Sequence, residues 1–295
     1  MTRLTSSHKK QLAALLEAPA RYRELKPVLE GYMSKTPYRR FNSFEGALRT
    51  AGLLHQLELK AENGQTTALY ASVAPENWDP YQVARALCPG GYFCNLTSLY
   101  YHALTNQVPS MIYVATEGRR VKDNRRTGPT TLSDDAIFDA FVQPHRVSTH
   151  TLVFQGHEIS ITERVSRNFI GVETVRANRR VCPKGSRVTS LERALIDAVV
   201  LPHYNGGLAT TIEVFRKGLP HASHRRLLDI YDGLAYVYPY WQSIGFLCEK
   251  VGAHDLAAAI VKEYAPRNKF YLDHGAKTSW EYDAKWQIYY PKGVL

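Results

Sequence analysis

TPYRRFNSFEGALRTAGLLHQLELKAENGQTTALYAS, residues 36–72, is the stretch on which the reading of the fold turns. Phe41, Phe44, Leu48 and Ala51 recur with a period near 3.6 up to Gly52, the spacing of one buried helix face. Thr36 and Pro37 form a cap and first-position pair, so a helix is expected from there. LLHQLELK and TTALYAS follow as strand-like runs joined through Asn63-Gly64, a dipeptide suited to a tight hairpin because both residues tolerate positive φ. Upstream, Leu12, Leu15 and Leu16 keep helical spacing after Ser6 and Ser7, and Pro19 closes that helix. Leu25, Val28, Leu29 and Tyr32 mark a second helix with Pro27 in its first turn. Three helices and a hairpin make a winged helix-turn-helix over residues 1–75. APENWDP, residues 74–80, has the prolines and polar residues of a linker.

Residues 76–295 read as one larger mixed α/β domain with a helical C-terminal half, so the expected class is α+β. YQVARAL and LTSLYYHAL have helical patterns, whereas MIYVAT, HTLVFQG and EISITERV read as strands, giving a mixed region to about residue 188. Residues 189–265 are mainly helical. Thr189 and Glu192 have capping-box spacing before LERALIDAVV, and LATTIEVFRKG, HRRLLDIYDGL, YWQSIGFLCEKV and HDLAAAIVKEY follow. Residues 266–295 form an aromatic, short-stranded tail.

The 295 residues carry 37 Lys+Arg against 27 Asp+Glu, a net charge of +10, with 44% hydrophobic and 22% charged residues. That apolar share suffices for a sizeable core and excludes global disorder. No window approaches the roughly 18 uninterrupted apolar residues of a spanning helix, and the first thirty residues lack an export signal, so no membrane is expected. Cys88, Cys94, Cys182 and Cys248 form no CxxC pair and read as reduced core thiols in a cytoplasm. Residues 1–60 hold eleven Lys/Arg and five Asp/Glu, an excess of +6. More than half the net charge therefore lies in about a fifth of the chain, which favours a polyanionic partner, most simply nucleic acid.

Opposite the apolar face of the third predicted helix lie Arg39, Asn42, Ser43, Gly46, Arg49 and Thr50. Arg donates two bonds to guanine, Asn pairs bidentately with adenine, and a side-chain-free Gly46 lets the backbone approach a phosphate or base edge. Tyr38 beside them and Lys60 in the hairpin complete the candidate DNA contacts, with an ordinary solvated face as the alternative reading. GRRVKDNRRTG, residues 118–128, supplies Arg119, Arg120, Lys122, Arg125 and Arg126, which suit phosphate or an acidic protein partner as well as they suit a solvated loop.

No catalytic constellation emerges. There is no P-loop, GxSxG or HExxH, and His221 and His224 lack neighbouring Cys ligands. Glu58 and Lys60 have the ExK spacing of some nucleases, but they lie in the hairpin with no upstream acid placed to complete a magnesium site. Asp134, Asp135 and Asp139 read as acidifying a helix start. The expectation is therefore no enzyme, no catalytic residue, no metal and no cofactor. The C-terminal aromatics, from Tyr236 to Tyr290, read first as core, with base stacking or partner contact as alternatives.

Four stretches in the second domain carry a resemblance: GGYFCNLTSLYYHALTNQVPSMIYVAT, RVTSLERALIDAVVLPHYNGGL, LAYVYPYWQSIGFLCEKVG and FYLDHGAKTSWEYDAKWQIYYPKG. In that order, across residues 90–293, they resemble the AbiEi-family antitoxins. Those are bacterial transcriptional regulators paired with a nucleotidyltransferase-type toxin in phage-defence and type IV toxin-antitoxin operons. The resemblance implies an N-terminal winged helix that binds inverted repeats in double-stranded operator DNA and represses the operon. It also implies a C-terminal domain that neutralises the toxin, directly or indirectly, without a catalytic centre. Thr189, Glu192, Arg193 and Asp197 match family motif positions and imply a polar network around the start of a helix, whose end Pro202, Tyr204, Gly206 and Gly207 shape. The face of the third helix is not a shared family motif. The expected function is a DNA-binding antitoxin and autorepressor in a bacterial cytoplasm. Its alternatives are a nuclease-like enzyme subunit and a winged-helix regulator whose second domain binds a small ligand.

Overall fold

The computed structural model describes residues 3–118, 132–177, 181–264, 268–275 and 279–295, and its chain is α+β. It divides into two compact units. Unit 1 comprises Met1–Gly91, Ser110–Thr116 and Ser148–Thr162, and unit 2 comprises Tyr92–Pro109, Glu117–Val147 and Glu163–Leu295. Among the described residues, no helix is long and apolar enough to cross a membrane.

Unit 1 begins with α1 (Ser6–Leu15), β1 (Ala20–Arg21), α2 (Tyr22–Met33), α3 (Phe41–Thr50), β2 (His55–Lys60) and β3 (Thr66–Ala71). The strands form an antiparallel sheet in the order β1-β3-β2, with Tyr70 opposite Ala20 on one side and Gln56 on the other. Leu12 and Leu16 pack with Leu25 and Leu29 of α2 and Phe44 and Leu48 of α3. Each such side chain contributes roughly 1.5–3 kcal/mol by leaving water.

Several local expectations are corrected. Thr5, not Ser6 or Ser7, caps α1, its hydroxyl accepting from His8 N at 3.2 Å while His8 Nδ1 accepts from Thr5 N at 3.4 Å. Leu15 stays 48% exposed. Pairing of Ala20–Arg21 with β3 makes Tyr22 the first residue of α2, so Pro27 lies inside the helix rather than in its first turn, and Val28 faces outward. Thr36 does not start α3: it is buried, donates to Met33 O at 2.7 Å and accepts from Tyr38 N at 3.3 Å, closing the turn after α2. Arg40 is the N-cap of α3 instead. The hairpin loop is five residues long, Ala61 N donating to Gln65 O at 2.8 Å, with Gly64 at φ +85° at its tip.

Unit 1 also extends past the boundary expected near residue 75. Trp78 is buried, donates through Nε1 to Val73 O at 2.7 Å and lies with its ring 6.4 Å from that of Phe154. Asp79 caps α4 (Pro80–Leu87), accepting from Tyr81 N and Gln82 N at 2.9 Å, and Arg21 donates to Leu87 O. APENWDP is thus anchored by a core tryptophan, which its prolines and polar residues did not reveal.

Unit 2 holds α5 (Asn95–Tyr101), α6 (Asp134–Val142), α7 (Leu191–Val200), α8 (Gly207–Gly218), α9 (His224–Leu234), α10 (Tyr240–Lys250) and α11 (His254–Glu263). Phe93 pairs in parallel with Val188, and Val172–Thr174 runs antiparallel to Arg187–Thr189. Nearly every residue of α7 is buried, so it is the central helix of the unit. Its cap is Ser190, whose hydroxyl accepts from Arg193 N at 3.4 Å, whereas Thr189 turns inward and donates to the Ser98 hydroxyl. Asp134 and Asp135 occupy the first turn of α6 behind the cap Ser133. Much of the aromatic tail is core. Trp286 is fully buried against Gly245 of α10, where an added Cβ would come within 2.1 Å of the indole. All four cysteines are buried, and none is in a disulfide.

Candidate functional site

The polar face of α3 is open to solvent. Asn42, Ser43, Gly46, Arg49 and Thr50 are exposed on the helix, and Arg39 and Arg40 are exposed in the turn just before it, while Phe44 and Leu48 hold the opposite face in the core. Arg39 is therefore not a helical residue. Arg40, outside the set expected from the sequence because α3 begins at Phe41 rather than at Pro37, supplies a second guanidinium at the same end. Gly46 has no atom within 4 Å of where a Cβ would stand. The fold does not need a glycine there, and a mid-helix glycine costs about 0.5–1 kcal/mol relative to alanine. The site thus combines forked donors, an amide and a stretch of bare backbone, a set that can reach base edges and phosphates in a major groove.

Two expected residues are committed elsewhere. Tyr38 is half-buried, with its ring 5.7 Å from that of Phe44. Arg49 donates to Glu45 through Nε at 3.2 Å and Nη2 at 2.8 Å, and its guanidinium lies 5.7 Å from the Tyr70 ring. Tyr22 donates to the same carboxylate at 2.7 Å. That bond, with burial, pushes the Tyr22 hydroxyl up to about 12. Burial opposes ionisation of Glu45, yet the bonds from Tyr22 and Arg49 prevail and hold its carboxyl below the usual range. Arg49 thereby ties α3 to α2 and β3. Lys60 is exposed at the end of β2, opposite Thr66. Glu58 on the same strand accepts from Gln56 Nε2 at 3.2 Å. Arg119, Arg120, Lys122, Arg125 and Arg126 lie outside the described residues.

Unit 2 gathers a buried charge cluster that spacing alone only half foretells. Asp197 of α7 accepts from Arg193 Nε at 2.9 Å and from Arg164 Nη1 at 2.8 Å, and Arg164 Nη2 donates to Asn95 Oδ1 at 2.9 Å. Burial works against ionisation of Asp197, but the two guanidiniums hold its carboxyl below the usual range. The i,i+4 pair was legible on the helix. Arg164, at the end of a strand and 33 residues away, carried no local signal. Glu192 accepts from Ser223 N at 3.1 Å and faces Arg226 Nη1 at 3.5 Å, so this motif residue joins α7 to α9. Among the described residues, no group of three His, Cys, Asp or Glu is arranged to hold a metal ion.

A histidine stack also lies in unit 2. The His145 ring sits 3.9 Å from that of His203 and 4.1 Å from that of His274, and His145 Nε2 is 2.8 Å from Asp273 Oδ1. Burial, and after it the neighbouring His145, pushes His203 down from 6.5 to about 4. The folded chain keeps this ring neutral while the unfolded chain takes a proton, so stability is full above about pH 6.5 and is lost as pH falls towards 4. Because the ring is only half-buried, the loss is on the order of 1–2 kcal/mol. Urea denaturation across that window should show it, and His203→Phe should flatten the slope. An unchanged slope in the variant would assign the acid sensitivity to other groups.

No protein-family model and no curated protein sequence matches the chain. In fold it is similar to the crystal structure of the RV2827C protein from Mycobacterium tuberculosis, with a TM-score of 0.56 and 13% identity over 98% of this chain and 93% of that one. At that identity the likeness speaks for architecture alone.

Proposed function

We propose that this chain is a DNA-binding antitoxin and transcriptional autorepressor of the AbiEi kind, in which the start of unit 1 is a winged helix-turn-helix and unit 2 counters a nucleotidyltransferase-type toxin. The observation that carries the DNA-binding part is the order α1-β1-α2-α3-β2-β3 with the sheet order β1-β3-β2. In that arrangement α3 is the recognition helix and the loop between β2 and β3 is the wing. The exposed polar face of α3 and the local excess of positive charge agree with this role. The antitoxin part rests on the four stretches that resemble the family and on the buried network their motif residues form.

An electrophoretic mobility shift with the full chain and the DNA upstream of its own gene tests the first part. Affinity should fall along a salt series with a slope near −0.9 per phosphate neutralised. Binding that is insensitive to salt, or equal on unrelated DNA, would remove the repressor reading. Growth during co-expression with the adjacent gene product tests the second part.

Gly46 offers a sharper check. Gly46→Ala should stabilise the free protein by about 0.5–1 kcal/mol and weaken operator binding, because the methyl group stands where DNA would approach. Gly31, on α2, is also exposed with open space at its Cβ position. Gly31→Ala should bring a similar stabilisation with DNA affinity unchanged. If Gly46→Ala bound the operator as well as Gly31→Ala does, this face would not be the one against DNA.

A further inference from the structure

The cluster around Asp197 holds two guanidiniums and one carboxylate, a net charge of 2 − 1 = +1 below the surface, where an uncompensated charge is expensive. The side chains of Arg193, Arg164 and Asp197 keep 4%, 15% and 1% of their surface. Two neighbours are 1% exposed and end in groups without a partner among the described residues: the Tyr92 hydroxyl and Asn95 Nδ2. Arg164 has only donors, so its bond to Asn95 Oδ1 fixes the amide with Nδ2 as the unpartnered end. Both orphan groups can donate, and the excess charge is positive. Burial pushes the Tyr92 hydroxyl up to about 12, so it keeps its proton at neutral pH.

Glu117, the acid held by the loop that follows Arg164, does not compensate the charge. Its oxygens accept from the Ser166 hydroxyl at 3.1 Å and from the N–H groups of Arg167 and Phe169 at 2.8 and 3.1 Å. In that loop Asn168 and Phe169 take the left-handed conformation at φ +55° and +54°, which asparagine tolerates and which strains the bulky Phe169, and Asn95 itself sits at +51°. Arg193 Nη1 donates to Ile170 O at 2.9 Å, and the Phe169 ring stands edge-on to Tyr92 at 6.1 Å. Strain held in place next to unpartnered buried donors is the pattern of a site built to receive something.

We propose that Arg164, Asn95 and Tyr92 form a binding site for a small oxyanion of the phosphate type, entered beside the exposed part of the Arg164 side chain. The anion neutralises the second guanidinium and accepts from both orphan groups, which water does for hydrogen bonding but not for charge.

The test is thermal melting of the full chain with inorganic phosphate against chloride at equal ionic strength. Wild type should melt progressively higher with phosphate. Tyr92→Phe removes one donor and should shift the half-maximal concentration upward by about tenfold. Asn95→Asp places a carboxylate beside Arg164, so it should melt higher without phosphate and no longer respond. General salting effects act on all three proteins alike. No rise beyond the chloride control, or an equal rise in wild type and Tyr92→Phe, overturns the site. If Asn95→Asp fails to fold, the comparison with Tyr92→Phe decides alone. A nucleoside monophosphate acting at lower concentration than phosphate makes the occupant the phosphate end of a nucleotide, and one without effect makes it the free oxyanion.

Discussion

Asp197→Asn should lower the stability of the protein by about 3–5 kcal/mol, because it leaves Arg164 and Arg193 buried without their shared carboxylate. Against a typical total of roughly 5–15 kcal/mol, this is the largest effect expected of any single substitution here. The loss comes from stranded charge rather than from the worth of the ion pairs. Replacing all three together, Arg164→Met, Arg193→Met and Asp197→Leu, should therefore cost much less than Asp197→Asn alone. Urea denaturation of the full chain measures both. A single variant within about 1 kcal/mol of wild type would mean that water reaches the cluster and the burial argument fails.

The second large effect concerns DNA. Arg39→Ala or Asn42→Ala should each weaken operator binding by about 1–3 kcal/mol and change binding to random DNA little, since a base reader distinguishes sequences. Lys60→Ala should weaken both and flatten the salt slope, as a phosphate contact does. Arg49→Ala should act on folding as well, through its ties to Glu45 and Tyr70, so its effect on DNA is compared at equal folded fraction. Titrations on both DNAs separate these classes, and equal losses on both for Asn42→Ala would reject its reading role. A double variant of Arg39 and Asn42 that represses poorly but still protects against the toxin would show the two activities to be separable. Truncation at residue 75 cannot make this point, because Trp78 and α4 belong to unit 1.

The helical periods of Leu12 and Leu16, of Leu25 and Leu29, and of Phe44 and Leu48 placed the first three helices, and two strand-like runs joined through Asn63-Gly64 placed the hairpin, because these signals are local. Element ends were less legible. Thr36-Pro37 has the form of a helix start, yet the threonine hydroxyl bonds Met33 O, and that preference depends on where α2 stops. The exposed face of α3 followed from the position of its core face. What Arg49 does there depended on Tyr70, 21 residues on, which no helical wheel contains.

In this protein, pattern and composition determined the class, the three N-terminal helices, the hairpin and the excess charge around them, since each is a property of neighbours along the chain. Only the packed structure decided that Trp78 anchors the supposed linker, that unit 1 takes in residues 110–116 and 148–162, and that Arg164 meets Asp197 and Asn95. Such contacts join residues tens of positions apart, and they form only when burial brings their elements together. Charge balance in a core is a property of the place, and it cannot be read from either residue alone.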